Sequence, residues 1–586
     1  MTRRSPALPA AAVAAFVFAA AGGFGLLTAT VADGGPQEEG APSSDAAGGA
    51  PRLVLSPPRP PAVPTLRLAV PVPPPGPPDD PPGDGAPTAP LRPPAVCGGV
   101  AALTAGEAEA LAVVAAQTFD GPATVAVVDR VGNVLALYRQ AGGAAAADDR
   151  AVGLARTGAF FSNDQAPLSS RTVRFISGVH FPPGVARTPN AALYGIENTN
   201  RGCDLQLTFD AGKAVPAARA LNGLPCDAFD PRGCGSGPVT GKPNDTDGNP
   251  PGRAVGPDPT AVAVDPGGLP VFRGGRGPGS LVGGVGVVLP AGAPPGAAEF
   301  AALAALAGNG FLPDPAPPGQ VFIDGIRLPF VVQVDAPAPP PAVPPAGVFA
   351  VASDNGACAP EGDLVTPRAA GPGGGPLTAA DAGRVVAQAV AAAGRTRAVI
   401  RLPIGSRARM AIAVSDLNGE ILALHRMPDA TVFSLDVAVA KARNVVWFST
   451  PAGKTELPGL SADTAVTNRT VGFGAQPLFP AGIDGSAEGP FFDLFRRDLL
   501  DPCSTGFDPA SPNRNGTVFF AGSIPLYQGG QPVGGLGISG DGVEQDDYVA
   551  FQGADGFRPP ESLWANRDFI RGVRMPFLKF PRNPEG

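Results

Sequence analysis

The sequence predicts an α+β fold made of two similar domains, each an antiparallel sheet with helices packed on it. The first observation is a long internal repeat, described below. The second is the order of patterns in each copy, helix-strand-strand-helix, a loop, then strand-strand-helix. The third is composition: 44% of residues are hydrophobic, enough for buried cores, while 80 glycines and 74 prolines among 586 residues require long loops and linkers.

The repeat is visible without gaps. Residues 129–162 and 416–449 share 13 identities in 34 positions. Further blocks match in the same order, and the clearest is Phe322–Phe330 against Phe569–Phe577. Ordered blocks of this kind indicate two homologous domains, with predicted bounds 97–335 and 376–580.

Each copy begins with a helix and continues into a pair of strands. Thr104 and Thr378 are each followed three residues later by an acid, the pattern that opens a helix, and these helices are predicted over 105–117 and 379–393. Strands follow at 124–128 and 133–138 in the first copy, and at 411–415 and 420–425 in the second. An Asp-x-x-Gly turn joins the two strands of each pair.

The later elements of each copy are a helix, a glycine-rich strand and a short helix. The predicted bounds are 149–161, 281–289 and 299–306 in the first copy, and 435–448, 533–538 and 544–552 in the second. The Gly-Gly-x-Gly blocks fall within the apolar strands, so they do not form a phosphate loop, which would open a helix. Glycine inside a strand indicates a bulge or a close backbone approach, and such an approach can line a ligand crevice.

The N-terminus has the pattern of an export signal. Arg3 and Arg4 precede an uncharged, alanine-rich stretch that ends near Ala32, which predicts a signal sequence or an N-terminal anchor over 1–32. We therefore expect an exported protein, periplasmic or extracellular, either cleaved or anchored in the membrane.

Two proline-rich segments are predicted to separate the folded parts. Residues 33–96 read as a disordered linker, because 18 prolines occur in the 46 positions of 51–96. A second Pro/Gly-rich stretch, 336–375, is predicted as the linker between the two domains.

Charge and histidine content exclude several functions. The net charge is −8, whereas a nucleic-acid-binding protein needs a basic surface, so no nucleic-acid partner is expected. Only two histidines are present, His180 and His425, which excludes a site built from several histidines.

The second copy resembles a known family. The motifs that carry the resemblance are Leu377–Asp381, Ala413–Gly419, Leu422–Met427, Ala438–Arg443 and Val533–Asp547. Together they resemble the GlcG/HbpS haem-binding-protein family, related to the C-terminal domain of PduO proteins, over most of 376–555. The resemblance implies a profilin-like fold, binding of haem or another small ligand, and assembly into homo-oligomers through sheet or helix faces. The first copy departs from the pattern: Leu154 stands where the second copy has Lys441.

A haem ligand is one interpretation of a matched pair of positions. His425 ends the second strand of its copy, and Tyr138 fills the equivalent position in the first. Imidazole and phenolate both bind haem iron, so His425 is a candidate axial ligand. Equally, a strand end near solvent accepts any large amphipathic side chain. Met427 is either a thioether ligand or a packing residue.

Basic and polar side chains complete the candidate ligand site. Arg139 and Arg426 occupy matched positions, where each guanidinium either binds a ligand carboxylate or pairs within its domain, with Asp149 and Asp436 respectively. The other candidates are Lys441, Ser539, Glu544 and Asp546. The cluster of Glu544, Asp546 and Asp547 either binds a cation or is the solvated start of a helix.

The six cysteines predict disulfides in an oxidising compartment. Cys97 and Cys358 each precede the first helix of a copy, and Cys226 and Cys503 lie in similar Pro-Cys contexts. A bridge older than the duplication would appear twice. This reasoning predicts Cys97–Cys226 and Cys358–Cys503, leaving Cys203–Cys234.

Three functional hypotheses follow. The first is an exported, non-catalytic haem-binding-like protein that uses the second copy. The second is a structural or interaction module whose ligand site has decayed. The third is a small-molecule enzyme using Arg426 and Glu544–Asp547. No Ser-His-Asp or Cys-His pattern supports a nucleophilic hydrolase, so binding without catalysis is favoured.

Overall fold

The computed structural model describes residues 95–586, with gaps in that range. The gaps are 145–146, 177–263, 295, 314–320, 324–325, 339–340, 342–345, 353–354, 400–404, 481–482, 484, 501–512 and 514–515. The predicted signal sequence, most of the proline-rich linker, His180, Cys203, Cys226, Cys234 and Cys503 lie outside the described residues. Within the described ranges, no helix is long and apolar enough to span a membrane. We call residues 95–352 the first half and residues 355–586 the second half.

The first half contains a five-stranded antiparallel sheet with helices on both faces. Its elements in chain order are β1 (Val96–Cys97), β2 (Val100–Ala101), α1 (Ala105–Gln117), β3 (Thr124–Asp129), β4 (Val134–Gln140), α2 (Asp148–Phe161), α3 (Ser170–Ile176), β5 (Gly268–Phe272), β6 (Leu281–Val288), α4 (Ala297–Asn309), β7 (Val321–Ile323), β8 (Ile326–Leu328) and β9 (Gly347–Ala352). The strand order in the sheet is β5-β6-β3-β4-β9.

The second half contains a sheet of the same kind. Its elements are β10 (Gly362–Val365), α5 (Ala379–Arg395), β11 (Ala411–Ser415), β12 (Ile421–Arg426), α6 (Ser434–Trp447), α7 (Pro451–Lys454), α8 (Asn468–Gly474), α9 (Phe492–Leu500), β13 (Ser523–Gln528), β14 (Gln531–Ser539), α10 (Val543–Gly553), β15 (Phe569–Ile570) and β16 (Val573–Arg574), with two short 3₁₀ turns at Glu561–Leu563 and Ala565–Arg567. The strand order is β10-β12-β11-β14-β13, so both sheets place the strands in corresponding order. The predicted α+β class with antiparallel sheets is confirmed.

Local chemistry explains where the elements begin. Both predicted capping boxes form: the hydroxyl of Thr104 accepts from Glu107 N–H, and that of Thr378 accepts from Asp381 N–H. At the β11–β12 turn, the carboxylate of Asp416 accepts N–H groups two and four residues on, at 2.9 Å each. The fourth residue of that turn, Gly419, has φ of 73°, which glycine adopts without steric cost.

The glycines of β6 and β14 let a helix lie directly on the sheet. A Cβ at Gly286 would come within 2.1 Å of the Ala151 carbonyl oxygen of α2. A Cβ at Gly537 would come within 2.0 Å of the Ala438 carbonyl oxygen of α6. The close approach predicted from these glycines is therefore real, but its partner is a helix backbone and not a ligand.

The segment predicted as a plain linker, 336–375, supplies an edge strand to each sheet. Strand β9 pairs antiparallel with β4, and β10 pairs antiparallel with β12. An edge strand has a neighbour on one side only, so it needs few buried side chains and tolerates nearby proline and glycine. This explains why its composition resembled that of a linker.

The two halves share a core. One group of buried residues on the α1 and α4 side belongs to the first half alone. The core on the α2 side continues into the second half, where Phe161 stacks on Phe433 with ring centroids 4.4 Å apart. The described residues of both halves belong to one compact unit.

The disulfide prediction was wrong for Cys97 and Cys358. These two residues bond to each other, with Cα atoms 5.4 Å apart, so neither is available for Cys226 or Cys503. The predicted pairing requires each bridge to lie within its own copy. In the structure, matched positions of the two packed copies face each other across their junction. The Cys203–Cys234 pairing stays a prediction, since both residues lie outside the described ranges.

Candidate functional site

A buried ion pair lies at the centre of the second half. The Nζ atom of Lys441, on α6, donates to Asp546 Oδ2 at 3.1 Å and to the Ile538 carbonyl at 2.7 Å. The Lys441 side chain is 0% exposed and that of Asp546 3%. Nζ also lies 4.9 Å from the centre of the Phe520 ring. Lys441, predicted as a ligand-binding residue, is thus enclosed by protein.

Burial shifts the pKa values of both partners toward their neutral forms. It raises the pKa of Asp546 to about 7, against the opposing attraction of Lys441. It also lowers the pKa of Lys441, again opposed by the charge of Asp546. Desolvation is the largest cause in both cases. A substrate cannot reach either group in this state, so the shifts do not indicate acid-base catalysis.

The raised pKa predicts how Asp546 affects stability between pH 4 and pH 7. In that range the folded protein binds a proton that the unfolded carboxylate, with its ordinary pKa of 3.8, does not. Its contribution to stability is therefore present at low pH and lost as the pH rises toward about 7. Asp546→Asn should remove this loss. Urea denaturation at pH 5 and pH 7.5 measures the free energy of unfolding of the wild type and of the variant. An equal pH dependence in both proteins would contradict the raised pKa of Asp546.

The first half has no ion pair at the equivalent place. A Cβ at Gly522 would contact Asp546 Cβ at 2.6 Å and the Ile538 carbonyl, while a Cβ at Gly267 would contact Ala298 Cβ at 3.2 Å and the Val287 carbonyl. Ala298 thus stands where the second half has Asp546, and Leu154 stands where it has Lys441. Both partners differ together, so the fold itself does not require the pair.

A second ion pair is present in both halves. In the second half Arg469 pairs with Asp547, which also accepts the N–H of Lys579 at 3.0 Å. In the first half Arg171 pairs with Glu299 at 2.7 Å, and Glu299 accepts the N–H of Val332 at 2.9 Å. The ion pair joins α3 to α4 in the first half and α8 to α10 in the second. It is therefore part of the scaffold.

The predicted acidic cluster is divided among separate cations. Glu544 pairs with Lys579, Asp546 with Lys441 and Asp547 with Arg469. Within the described ranges, no group of three histidine, cysteine or acidic side chains is placed to hold a metal ion. The structure therefore gives no support to the predicted cation site.

His425 is held by a carboxylate that sequence reasoning missed. Its Nδ1 lies 2.7 Å from Oδ1 of Asp363, its neighbour on the edge strand β10. The side chain of His425 is 19% exposed. At the equivalent place in the first half, Tyr138 packs against Phe349 of β9, with ring centroids 4.9 Å apart. Asp363 lies within the segment predicted as a linker, and the residues around it show no alternation that would indicate a strand.

The matched arginines have different roles. Arg139 forms a two-bond ion pair with Asp148, the neighbour of the predicted partner Asp149. Arg426 is buried, and its guanidinium donates to the carbonyl oxygens of Ala430 and Pro360. These contacts fit the predicted alternative in which the arginines serve the structure.

The remaining candidates are packed inside the second half. Met427 is 4% exposed, which favours packing over ligation. Ser539 is also buried, and its hydroxyl donates to that of Ser434 at 3.1 Å.

The nine predicted residues do not form one pocket. Tyr138 and Arg139 belong to the first half. His425 and Arg426 are neighbours on β12, so their side chains point to opposite faces of the sheet. Lys441, Ser539 and Asp546 are buried. His425 and Arg426 therefore act at separate places.

The fold and these contacts define a class: an antiparallel sheet flanked by helices, with a buried Lys-Asp pair under its glycine-rich strand. Residues 377–555 match the family described as "Haem degrading protein HbpS-like". The match covers the part of the chain whose motifs predicted a resemblance to this family.

Three solved structures are similar to parts of the chain. Protein ORFY from Klebsiella pneumoniae is 21% identical over 30% of this chain and 88% of its own, with a TM-score of 0.21. A haem complex of PduOC is 22% identical over 31% of this chain and 94% of its own, with a TM-score of 0.21. A double mutant of HbpS from Streptomyces reticuli is 21% identical over 34% of this chain and 95% of its own, with a TM-score of 0.19. No curated protein sequence matches this chain.

Proposed function

We propose that this is an exported, non-catalytic, haem-binding-like protein whose second half carries the ligand site. The family of residues 377–555 supplies the ligand class. The observation that carries the proposal is His425: its Nδ1 is held by Asp363, and no partner within the described ranges occupies Nε2. Histidines that bind metals are commonly oriented by a carboxylate on the other ring nitrogen, which leaves a neutral nitrogen for the metal.

The donor set at this position fits haem. His425 would hold the iron through Nε2, while Asp363 would fix the tautomer and the orientation of the ring. A haem bound there would supply a redox-active iron with a strong visible absorbance. The equivalent Tyr138 of the first half is packed against Phe349, so we assign the ligand to the second half alone. We further propose that the halves arose by duplication, which their matching strand orders support.

Haemin titration of the full-length protein tests the proposal. We expect a shifted Soret band with the wild type and its loss with His425→Ala. Asp363→Asn should weaken binding by about ten-fold, because a carboxylate that orients a metal-ligating histidine has an effect of that order. Tyr138→Ala changes the matched position in the other half, and this control should bind as the wild type does.

Three results would count against parts of the proposal. Unchanged binding by His425→Ala would place the ligand elsewhere. The absence of any Soret shift would exclude haem at this site. A band that forms and then decays with release of iron would show catalysis of haem breakdown, contrary to a binding role. Circular dichroism confirms that each variant is folded, which we expect because His425 is partly exposed.

Export and oligomerisation stay predictions. Cell fractionation with detection of the mature N-terminus tests whether 1–32 directs export. Light scattering of the purified protein tests whether it assembles into homo-oligomers.

A further inference from the structure

A cleft of about 670 Å³ lies where the two halves meet. Its wall includes the Cys97–Cys358 disulfide, the loop at 276–279 from the first half, and Arg409 and Arg426 from the second. We propose that this cleft binds a small molecule with at least two oxyanion groups, carboxylate or phosphate, through Arg276 and Arg409. The cleft is separate from the proposed haem site, because His425 lies on the opposite face of the sheet from Arg426.

The side chains that line the cleft carry a net positive charge. Its lining has four arginines against three carboxylates. All three carboxylates are already engaged: Asp164 accepts from Leu281 N–H at 2.8 Å, Asp429 accepts from Asp164 N–H at 2.7 Å, and Glu361 accepts from Asp429 N–H at 3.0 Å. The bond between Asp164 and Asp429 joins the two halves. The three carboxylates offset only part of the positive charge, so the lining keeps one excess cation.

Two of the arginines form the inner wall. The guanidinium of Arg130 donates to the carbonyl oxygens of Ala159 and Ser162. Arg426 lies 3.6 Å from Glu361. Burial and, to a smaller extent, the charge of Arg426 lower the pKa of Arg130 to about 9, although the nearby carboxylates oppose this shift. The two cations therefore raise the electrostatic potential of the cleft, and a bound anion would relieve their repulsion.

The other two arginines have free guanidinium groups. Arg276 and Arg409 are half-buried and line the cleft from opposite halves. No carboxylate in the described part of the chain lies within ion-pair distance of either guanidinium. A guanidinium presents a planar fork of N–H donors that matches carboxylate and phosphate oxygens. One such fork from each half suits a ligand that carries two anionic groups.

The loop that carries Arg276 is held in place. Gly279 has φ of 78°, and a Cβ there would lie 2.0 Å from the Cys97 carbonyl oxygen. The N–H of Gly279 also donates to Asp164 at 2.6 Å. The loop is therefore fixed against the disulfide, so little ordering cost remains for binding.

Calorimetric titration of the oxidised full-length protein at low ionic strength tests the site. The probes are citrate and pyrophosphate, which separate a carboxylate ligand from a phosphate ligand, with acetate as a single-charge comparison. We expect binding of citrate or pyrophosphate and weaker binding of acetate. Arg276→Gln and Arg409→Gln should each weaken binding by about ten-fold, as expected for losing one charge-assisted hydrogen bond.

Arg496→Gln is the matched control, because it removes the same charge from an exposed surface ion pair. It should leave the affinity unchanged. The proposal is overturned if neither probe binds, or if the control loses as much affinity as the cleft variants. It is also overturned if Arg276→Gln and Arg409→Gln bind as the wild type does. Neither cleft variant strands a buried charge, so both should fold. Haemin binding by the same variants should be unaffected, which separates this test from that of His425.

Discussion

Replacing Lys441 alone by leucine is expected to lower the free energy of unfolding by about 3–5 kcal/mol. The substitution leaves the carboxylate of Asp546 buried without its cation, and breaking a buried ion pair from one side carries a cost of that order. Asp546 is 3% exposed and its second oxygen, Oδ1, has no hydrogen-bond partner. Urea denaturation followed by circular dichroism measures the loss.

The double variant Lys441→Leu with Asp546→Ala is the control for this prediction. It copies the residues that the first half has at the same places, Leu154 and Ala298. Removing both charges together should recover most of the stability, since an apolar pair can replace a buried ion pair at little cost. If the double variant is as unstable as the single one, the ion pair stabilises the fold by more than the cost of burying its two charges. A single variant as stable as the wild type would mean that water reaches Asp546.

Loss of the Cys97–Cys358 bond should cost roughly 5 kcal/mol. The bond spans 261 residues, and in the chain-entropy account the stabilisation increases with the length of the loop that is closed. Cys97→Ser and Cys358→Ser should therefore lower the free energy of unfolding equally. The double variant should cost no more than either single one, because both substitutions break the same bond.

Denaturation under oxidising conditions, together with non-reducing peptide mapping, decides this point. Additive losses would show that the two cysteines belong to different bridges. A peptide that links Cys97 to Cys358 would establish the bond directly.

The sequence was most informative where local chemistry decides the structure. The helix predicted over 105–117 has those bounds in the structure, because Thr104 and Glu107 form the capping box that the pattern requires. The strand predicted at 411–415 is likewise observed. In these places a few neighbouring residues determine the conformation, and tertiary contacts agree with them.

Long-range partners were not readable from the sequence. Asp363 and His425 meet only because an edge strand from a proline-rich segment pairs with β12. The pairing of Lys441 with Asp546 spans 105 residues, and no local pattern at either position indicates the other. Arg276 and Arg409 could not be predicted for the same reason, because residues that meet in a cleft between two halves show no periodic pattern in the sequence. Local propensity determines the elements, whereas packing determines which side chains meet.

The bond between Cys97 and Cys358 gives the oxidised chain the covalent form of a ring with a tail at each end. The ring is made of residues 97–358 and so includes nearly all of the first half, while the C-terminal tail contains nearly all of the second half. A single proteolytic cut inside the ring opens it without releasing a fragment, so a non-reducing gel would show an intact mass. A cut in either tail releases a fragment at once. A ring also cannot pass through a narrow translocation pore as a single extended strand, so on such a route the bond must close after the chain has crossed.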